Sequence, residues 1–162
     1  MRQLTIIATS LWLGAMGFFA FVAAPVAFGV LGRESAGRLI AAVMPRYHWI
    51  GLALGILALC GVIGRWGRGG GRLLDRLAVV LVCLMLALTA YSLFVLLPQV
   101  DALRLALPPG RSAEALAVSP DAARFARLHM VSTGLGLAVM AAGICVVILE
   151  AVRRAEGSLT EG

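Results

Sequence analysis

The amino-acid sequence predicts an all-α integral membrane protein, a bundle of four membrane-spanning helices. Hydrophobic residues make up 61% of its 162 residues and charged residues only 14%, whereas a soluble domain of this length needs a more polar surface. The mean hydropathy is +0.97. The apolar residues also fall in long blocks, and a block of about 18 or more residues is long enough to cross a bilayer as a helix. We therefore expect a single membrane domain over residues 1–162.

The first half of the chain predicts two spans joined by a helix at the membrane surface. Residues 4–31 carry no charge and form a block longer than the apolar core of a signal peptide, about 7–15 residues, so we expect a retained helix that tilts or bends near Pro25. Residues 34–44 mix apolar and charged side chains, which is typical of an interfacial helix. Pro45 is expected to end that helix, and a second span follows over residues 47–63.

The third span follows a short basic segment. Residues 65–76 hold four arginines, one aspartate and the run Gly69-Gly70-Gly71, which predicts a tight, flexible loop. A third span is expected over residues 77–97, and Pro98 is expected to end it.

The fourth span follows the longest polar connection in the chain. A Pro-Pro-Gly sequence at 108–110 interrupts this connection, and the Ser-Pro-Asp sequence at 119–121 has the pattern of a capped helix start. We therefore expect a loop helix over residues 120–127 that leads into a fourth span over residues 128–149. From Glu150 onward the sequence is polar, which predicts a frayed tail.

The distribution of arginine bears on partners and orientation. All 14 basic residues are arginine, and they flank the apolar blocks. This placement fits membrane topology and lipid headgroups better than phosphate recognition, so we expect the lipid bilayer as a partner and no nucleic acid. Four spans put both termini and the 65–76 loop on one side. Seven arginines fall on each side, but those of the short loop lie closest to the span ends, which predicts that the N-terminus and the C-terminus are cytoplasmic.

Short sequence matches indicate that the two halves of the chain are related. Phe21–Pro25 matches Phe94–Pro98, in the first and third spans, and Arg46-x-His48 matches Arg127-x-His129, at the head of the second and fourth spans. Such a repeat predicts two tandem helical hairpins related by a pseudo-two-fold axis along the membrane normal, with both histidines at one depth. Chance similarity between apolar segments is the alternative explanation. Small residues expected to allow close helix contacts are Gly55, Gly61, Gly134 and Gly136.

The two histidines of the chain, His48 and His129, are the strongest candidates for a binding site. Imidazoles at equal depth on facing helices suit axial ligation of haem iron, as in haem b, or binding of copper or another transition metal. Met44 and Met130 lie within a turn of them, and thioethers favour monovalent copper. Side chains expected to donate hydrogen bonds near such a site are Tyr47 and Tyr91. The competing interpretation is that the histidines bond water or headgroups and that the methionines only pack.

No enzyme motif accompanies these histidines. The sequence contains no phosphate-binding loop, no zinc-protease helix motif and no serine-nucleophile elbow. An enzyme is therefore the less favoured class, and no residue is predicted to be catalytic. No charge lies deep within an expected span, whereas ion-coupled transporters place an acid or a base near the membrane midplane.

Several residues occur in the order of a known family motif. In the first half they are Trp12-Leu13-Gly14, Phe18-Phe19, Ala24-Pro25, Ala36-Gly37 and Met44-Pro45-Arg46-Tyr47, and in the second half Tyr91, Pro98, Leu103-Arg104, Phe125, His129 and Ser132. Over about residues 5–150 the chain resembles the bacterial transmembrane-protein-205-like domain of unknown function, within the copper-resistance-D-like superfamily of small helical membrane proteins.

The resemblance implies a bacterial inner-membrane protein, in a superfamily with members that handle copper or bind haem. It maps His129 and Ser132 onto a family motif, with Ser132 beside the expected ligand. Related proteins can carry an aromatic residue at the position of His48, so His129 is the better-supported ligand. Gly136 replaces an expected asparagine, and both departures weaken a two-histidine site. The resemblance implies structural roles for Trp12, Gly14, Pro25, Pro45 and Pro98.

Three functions are compatible with these observations. The first is copper or haem handling at the outer half of the bundle, with His129 and His48 as ligands. The second is a structural or assembly subunit of a homo-oligomer or a larger membrane complex, with no ligand of its own. The third, which depends on the repeat alone, is a passive transporter.

Overall fold

The computed structural model describes residues 2–66, 73–106 and 120–159. Within these ranges every residue outside the turn at 31–32 is helical. Four helical segments are long and apolar enough to cross a membrane, which confirms the predicted all-α bundle. Three sequence features lie outside the described residues: the Gly69–Gly71 run, the 108–110 break and the cap at Ser119.

Two of the four spans contain a short π-helical segment. The first span consists of α1 (Arg2–Phe18), the π-helical segment π1 (Phe19–Ala23) and α2 (Ala24–Val30). The second span is α3 (Arg33–Trp66). The third consists of α4 (Leu73–Tyr91), the π-helical segment π2 (Ser92–Leu96) and α5 (Leu97–Ala106). The fourth is α6 (Pro120–Leu159).

Three of the spans are longer than the sequence predicts. The third span, which Pro98 is expected to end, continues through that proline as α5 to Ala106. α3 has Pro45 in its interior, so the interfacial helix expected at 34–44 and the span expected at 47–63 are parts of one helix. α6 includes the loop helix expected at 120–127 together with the fourth span, and it continues past Glu150, where the sequence predicts a frayed tail.

Side-chain bonds support the backbone of α3 on both sides of Pro45. The guanidinium Nη1 of Arg46 donates to the carbonyl of Ala42 at 2.5 Å, and Nδ1 of His48 lies 2.8 Å from the carbonyl of Met44. A proline in a helix removes one backbone hydrogen bond and crowds the carbonyl four residues earlier. The two side-chain bonds join residues after Pro45 to residues before it, although neither reaches the carbonyl of Ala41, which loses its backbone donor at the proline.

The four spans form a square bundle. Among the described residues α1 and α4 each pack on both α3 and α6, and the backbones of the diagonal pairs α1–α4 and α3–α6 do not come close. The most extensive contacts lie within the pairs α1–α3 and α4–α6, which are the two predicted hairpins. The start of α1, the end of α3, the start of α4 and the end of α6 meet at one end of the bundle, which we call the terminal side. The other end is the opposite side.

Trp12 is the largest side chain of the core and lies where α1 crosses α3. A Cβ atom added at Gly51 would lie 2.7 Å from Nε1 of Trp12, and one added at Gly55 would lie 2.5 Å from Cδ2 of Leu86 and 2.7 Å from Cζ3 of Trp12. Gly55 therefore permits a close helix contact, as predicted. An added Cβ at Gly136 would meet no atom within 4 Å, so the predicted close contact there is wrong.

The two π-helical segments occupy matching positions in the two halves. Each ends two residues before a proline, Pro25 or Pro98, and in each the backbone N–H of the next residue bonds the carbonyl five residues earlier. Proline cannot donate the ordinary helix bond and crowds the preceding turn. One wider turn before the proline relieves this conflict, and π-turns in helices are frequent at functional sites.

The buried positions of the two hairpins also correspond. Positions separated by 73 residues, the separation of Pro25 and Pro98, are buried in both α1 and α4. These pairs are Thr5 and Ala78, Thr9 and Val82, Trp12 and Met85, and Met16 and Thr89. The correspondence supports the interpretation of the bundle as two tandem hairpins.

Candidate functional site

A small cavity lined by both polar and apolar side chains lies between the four spans. Its volume is about 40 Å³, enough for one or two water molecules or a metal ion, because one buried water needs at least about 10–15 Å³ of such space. The side chains that line it are Trp12, Met16, Tyr47, His48, Thr89, Ser92, Ser132 and Val139, together with Gly136. Ser92 is the first residue of π2, so the cavity lies beside a widened helical turn.

The imidazole of His48 is held in a defined orientation at this cavity. The residue is 8% exposed, and its Nδ1 lies 2.8 Å from the carbonyl oxygen of Met44. A carbonyl only accepts hydrogen bonds, so Nδ1 carries the proton and Nε2 of the neutral ring retains a lone pair. The ring of Tyr47 meets His48 edge to face, and Phe19 stacks on Tyr47. The ring therefore has one nitrogen available to bind a ligand.

His129 does not share this cavity. Its side chain is exposed on α6, its ring stacks on that of Phe125 at a centroid distance of 6.3 Å, and Thr133 donates to its backbone carbonyl. Between residues 120 and 131, no side chain whose exposure is described is buried. The two histidines stand in the same Arg-x-His pattern and the sequence favours His129 as the ligand, but only His48 lies at a level where neighbouring helices cover it.

Of the remaining predicted site residues, some line the cavity and others are exposed away from it. Tyr47 and Ser132 line the cavity. Tyr91 is exposed and Met130 is 66% exposed, and neither belongs to the cavity lining. Met44 contributes its backbone carbonyl to His48.

Met16 is a cavity residue that sequence reasoning missed. It lines the cavity together with His48, which brings a thioether and an imidazole to the same space. Its position one turn after Trp12, on the apolar side of α1, was the available signal. Among the described residues no group of three or more histidine, cysteine, aspartate or glutamate side chains is placed to hold a metal ion, so a metal here depends on a mixed ligand set.

Of the residues with predicted structural roles, Trp12 is buried and lines the cavity. Gly14 faces outward, and an added Cβ there would meet no atom within 4 Å. Pro25 and Pro98 follow the two π-helical segments, and Pro45 lies within α3.

A second polar site, the ion network, lies on the terminal side. It consists of Arg65 at the end of α3, Asp75 at the start of α4, and Glu150 and Arg153 on α6. Arg153 Nη2 lies 2.6 Å from Asp75 Oδ1, and Arg65 Nη2 donates to Glu150 Oε1. Both acids are fully buried and both arginine side chains are 15% exposed. Two positive and two negative charges thus neutralise each other where three helices meet.

The ion network extends onto α1. Arg65 Nη1 donates to Thr5 Oγ1 at 3.2 Å, and Thr5 Oγ1 lies 3.4 Å from the carbonyl of Ala58. Thr9, one turn further along α1, is fully buried. Among the described residues six buried polar atoms have no hydrogen-bond partner: the Thr9 hydroxyl, Oδ1 and Oδ2 of Asp75, Glu150 Oε2, Arg65 Nε and Arg153 Nη1.

The sequence contained a signal for this network. Each of its four charges lies within about one turn of a span end, and the four-span topology puts all four on one side. Read separately, Arg65 and Asp75 belong to a basic loop and Glu150 to a polar tail. Only the side-chain contacts that Arg65 of α3 and Asp75 of α4 make with α6 show that these charges compensate each other.

Comparison with known proteins assigns the chain to a family. The family model described as "Domain of unknown function (DUF4149)" matches residues 7–107. The chain belongs to this family. The matched segment contains Met16, His48 and Asp75, and the fourth span follows it.

A distant relative covers more of the chain. An uncharacterized protein of Aquifex aeolicus (strain VF5) is 27% identical over 139 residues, which are 86% of this chain and 88% of that protein. No solved structure matches the chain.

Proposed function

We propose that this DUF4149 protein binds one monovalent copper ion in the cavity at His48. The observation that carries the proposal is the buried imidazole of His48, bonded through Nδ1, at a cavity that Met16 also lines. Metal-binding histidines generally donate their other ring N–H to a carbonyl or a carboxylate, which fixes the ring. Thioether and imidazole ligands together favour monovalent copper over harder cations.

The size of the cavity favours copper over haem. A volume of about 40 Å³ suits an ion, whereas sites for small organic ligands occupy about 300–1,000 Å³. Axial ligation of haem by both histidines also requires both rings on one site, and His129 stacks on Phe125 outside the cavity. The ligand pair that supports the proposal is therefore His48 and Met16, in place of His48 and His129.

The sequence resemblance supports the choice of copper, and the charge distribution supports an orientation in the membrane. The resemblance to the transmembrane-protein-205-like domain and the copper-resistance-D-like superfamily supports copper handling by fold-level analogy. The dense arginines of the 65–76 segment support a cytoplasmic terminal side in a bacterial inner membrane. In that orientation the copper ion binds in the outer half of the bundle.

Copper binding by the purified protein tests the proposal. The protein in detergent, kept anaerobic, is titrated with Cu(I) buffered by bathocuproine disulfonate, whose absorbance reports transfer of the metal. The wild type is expected to remove one Cu(I) ion per chain from the chelator, and His48→Ala to remove none. Met16→Leu should bind at least about tenfold more weakly, because it keeps the shape and loses the sulfur ligand.

The second histidine provides the matched control. His129→Ala is expected to bind copper like the wild type, because His129 lies outside the cavity. Equal binding by His48→Ala and the wild type would contradict the proposal. Absence of copper binding by a folded wild-type protein would also contradict it and would favour the structural-subunit alternative.

A further inference from the structure

We propose that the ion network of Arg65, Asp75, Glu150 and Arg153 is the closed gate of a cation path through the bundle. The path begins at the His48 cavity, follows the buried face of α1 and ends between the carboxylates on the terminal side. This inference rests on the proposed function only for the identity of the cation. It adds translocation to binding and assigns residues to it that lie outside the cavity.

The buried face of α1 connects the two polar sites. Thr5, Thr9, Trp12 and Met16 follow one another at helical spacing, and all four are buried. At a rise of about 1.5 Å per residue, about 16 Å of helix separates Thr5 at the network from Met16 at the cavity. Thr9 lies between them, fully buried and with no partner for its hydroxyl among the described residues.

Packing alone does not account for the hydroxyl group of Thr9. The positions of α4 that correspond to Thr5 and Thr9 hold Ala78 and Val82, which are buried to the same degree. Valine has nearly the shape of threonine and buries no unpaired hydroxyl, so an apolar residue at position 9 would be the more stable choice in a dry core. A hydroxyl retained there is explained if a passing cation and its water use it.

The groups along the path suit a small cation. After the cavity come the Thr9 hydroxyl and then the carboxylates of Asp75 and Glu150, whose Oδ2 and Oε2 atoms have no hydrogen-bond partner among the described residues. Arg65 Nε and Arg153 Nη1 in the same network also lack a partner, so the guanidinium groups must move away before a cation can approach the carboxylates. The hydroxyl and carboxylate oxygens carry lone pairs, as cation binding requires. In the structure the guanidinium groups of Arg65 and Arg153 occupy the other carboxylate oxygens. Separation of these ion pairs would open the terminal end and present the carboxylates to the cation.

Trp12 is a second point at which the path is closed, between Thr9 and the cavity. Its indole lies against Gly51 and Gly55, with no room for an added methyl group. The structure is therefore the closed state, and conduction requires α1 to move relative to α3. The π-helical segment and Pro25 at the end of α1 supply a place where the helix can bend.

Thiol labelling tests the gate without any metal. Cys60, Cys83 and Cys145 are replaced by alanine, Thr9→Cys is introduced, and the full chain in lipid nanodiscs is treated with a charged methanethiosulfonate reagent. Labelling is expected to be slow with the network intact and at least about tenfold faster after Glu150→Gln, because removal of one charge from a buried pair strongly destabilises the paired state. Glu34→Gln is the matched control, since it breaks only the exposed Glu34–Arg38 pair and should leave the rate unchanged.

Transport provides a second test that does not depend on the stability of Glu150→Gln. Proteoliposomes are loaded with a Cu(I) indicator, and uptake is compared for the wild type and for Thr9→Val, which preserves side-chain shape. Uptake is expected to fall at least about tenfold while Cu(I) binding at His48 is unchanged. Unchanged uptake in Thr9→Val, or unchanged labelling in a folded Glu150→Gln variant, would overturn the gate. Loss of copper binding with gated labelling intact would instead overturn the identity of the cation.

Discussion

The two polar sites of the bundle solve the problem of burying polar groups in opposite ways. The ion network joins four charges of both signs in direct contact, so opposite charges draw the ends of three helices together. The cavity instead is lined by one imidazole together with neutral residues that carry hydroxyl and thioether groups. Mutual neutralisation closes a bundle, whereas neutral groups with spare lone pairs leave room for a ligand.

The comparison assigns stability to the network and ligand binding to the cavity. A buried charge that loses its partner retains its desolvation cost, so the network is sensitive to any single change. A neutral cavity residue leaves no unpaired charge behind when it is replaced, so the cost to folding is smaller than at the network. Substitutions at the two sites should therefore differ in what they damage.

The largest effect is expected from removal of Glu150. Glu150→Ala leaves Arg65 and Arg153 close together without their shared anion, and breaking a buried ion pair costs about 3–5 kcal/mol. The melting temperature of the detergent-solubilised protein should fall strongly. Glu34→Ala, at the exposed pair with Arg38, is the matched control and should not change it measurably. Equal melting temperatures for Glu150→Ala and the wild type would contradict the assignment of stability to the network.

How far the sequence alone predicts this structure depends on the range of the interactions. The four spans follow from the length of uncharged blocks, which is a local property, and the structure confirms them. The continuation of α3 through Pro45 does not follow, because a proline normally breaks a helix. The bonds from Arg46 and His48 to carbonyls on the other side of Pro45 depend on side-chain conformations that a sequence pattern does not contain.

The candidate site shows the same limit. His48 and His129 stand in identical local patterns, and only the packing of neighbouring helices buries one and exposes the other. Met16 is separated from His48 by 32 positions on another helix, and Arg65 pairs with a glutamate 85 residues away. Such long-range pairs become visible once the register of the helices is known, which a single sequence does not supply.

Two glycines at corresponding positions of the hairpins, Gly55 and Gly136, differ in the space around them. Gly55→Ala puts a methyl group 2.5 Å from Leu86 and 2.7 Å from Trp12, and such overpacking typically costs about 1–3 kcal/mol. Gly136→Ala adds the same methyl group where no atom lies within 4 Å, and it should be neutral for stability. Thermal unfolding of both variants checks the difference. Similar melting temperatures would mean that α1 and α3 are less closely packed at Trp12 than the structure shows.

The smallest expected effect is the difference in stability between substitutions of Thr5 and Thr9, which lie one turn apart on α1. Thr5→Val removes the acceptor used by Arg65 and the hydroxyl that contacts the Ala58 carbonyl, and leaving such buried groups unpaired costs about 1–3 kcal/mol. Thr9→Val removes a buried hydroxyl that has no partner among the described residues, so it should leave stability unchanged or raise it slightly. Urea or thermal unfolding of the two variants side by side measures the difference. Equal destabilisation would show that Thr9 is bonded as firmly as Thr5, whereas the expected asymmetry places the end of the ion network between these two turns of the helix.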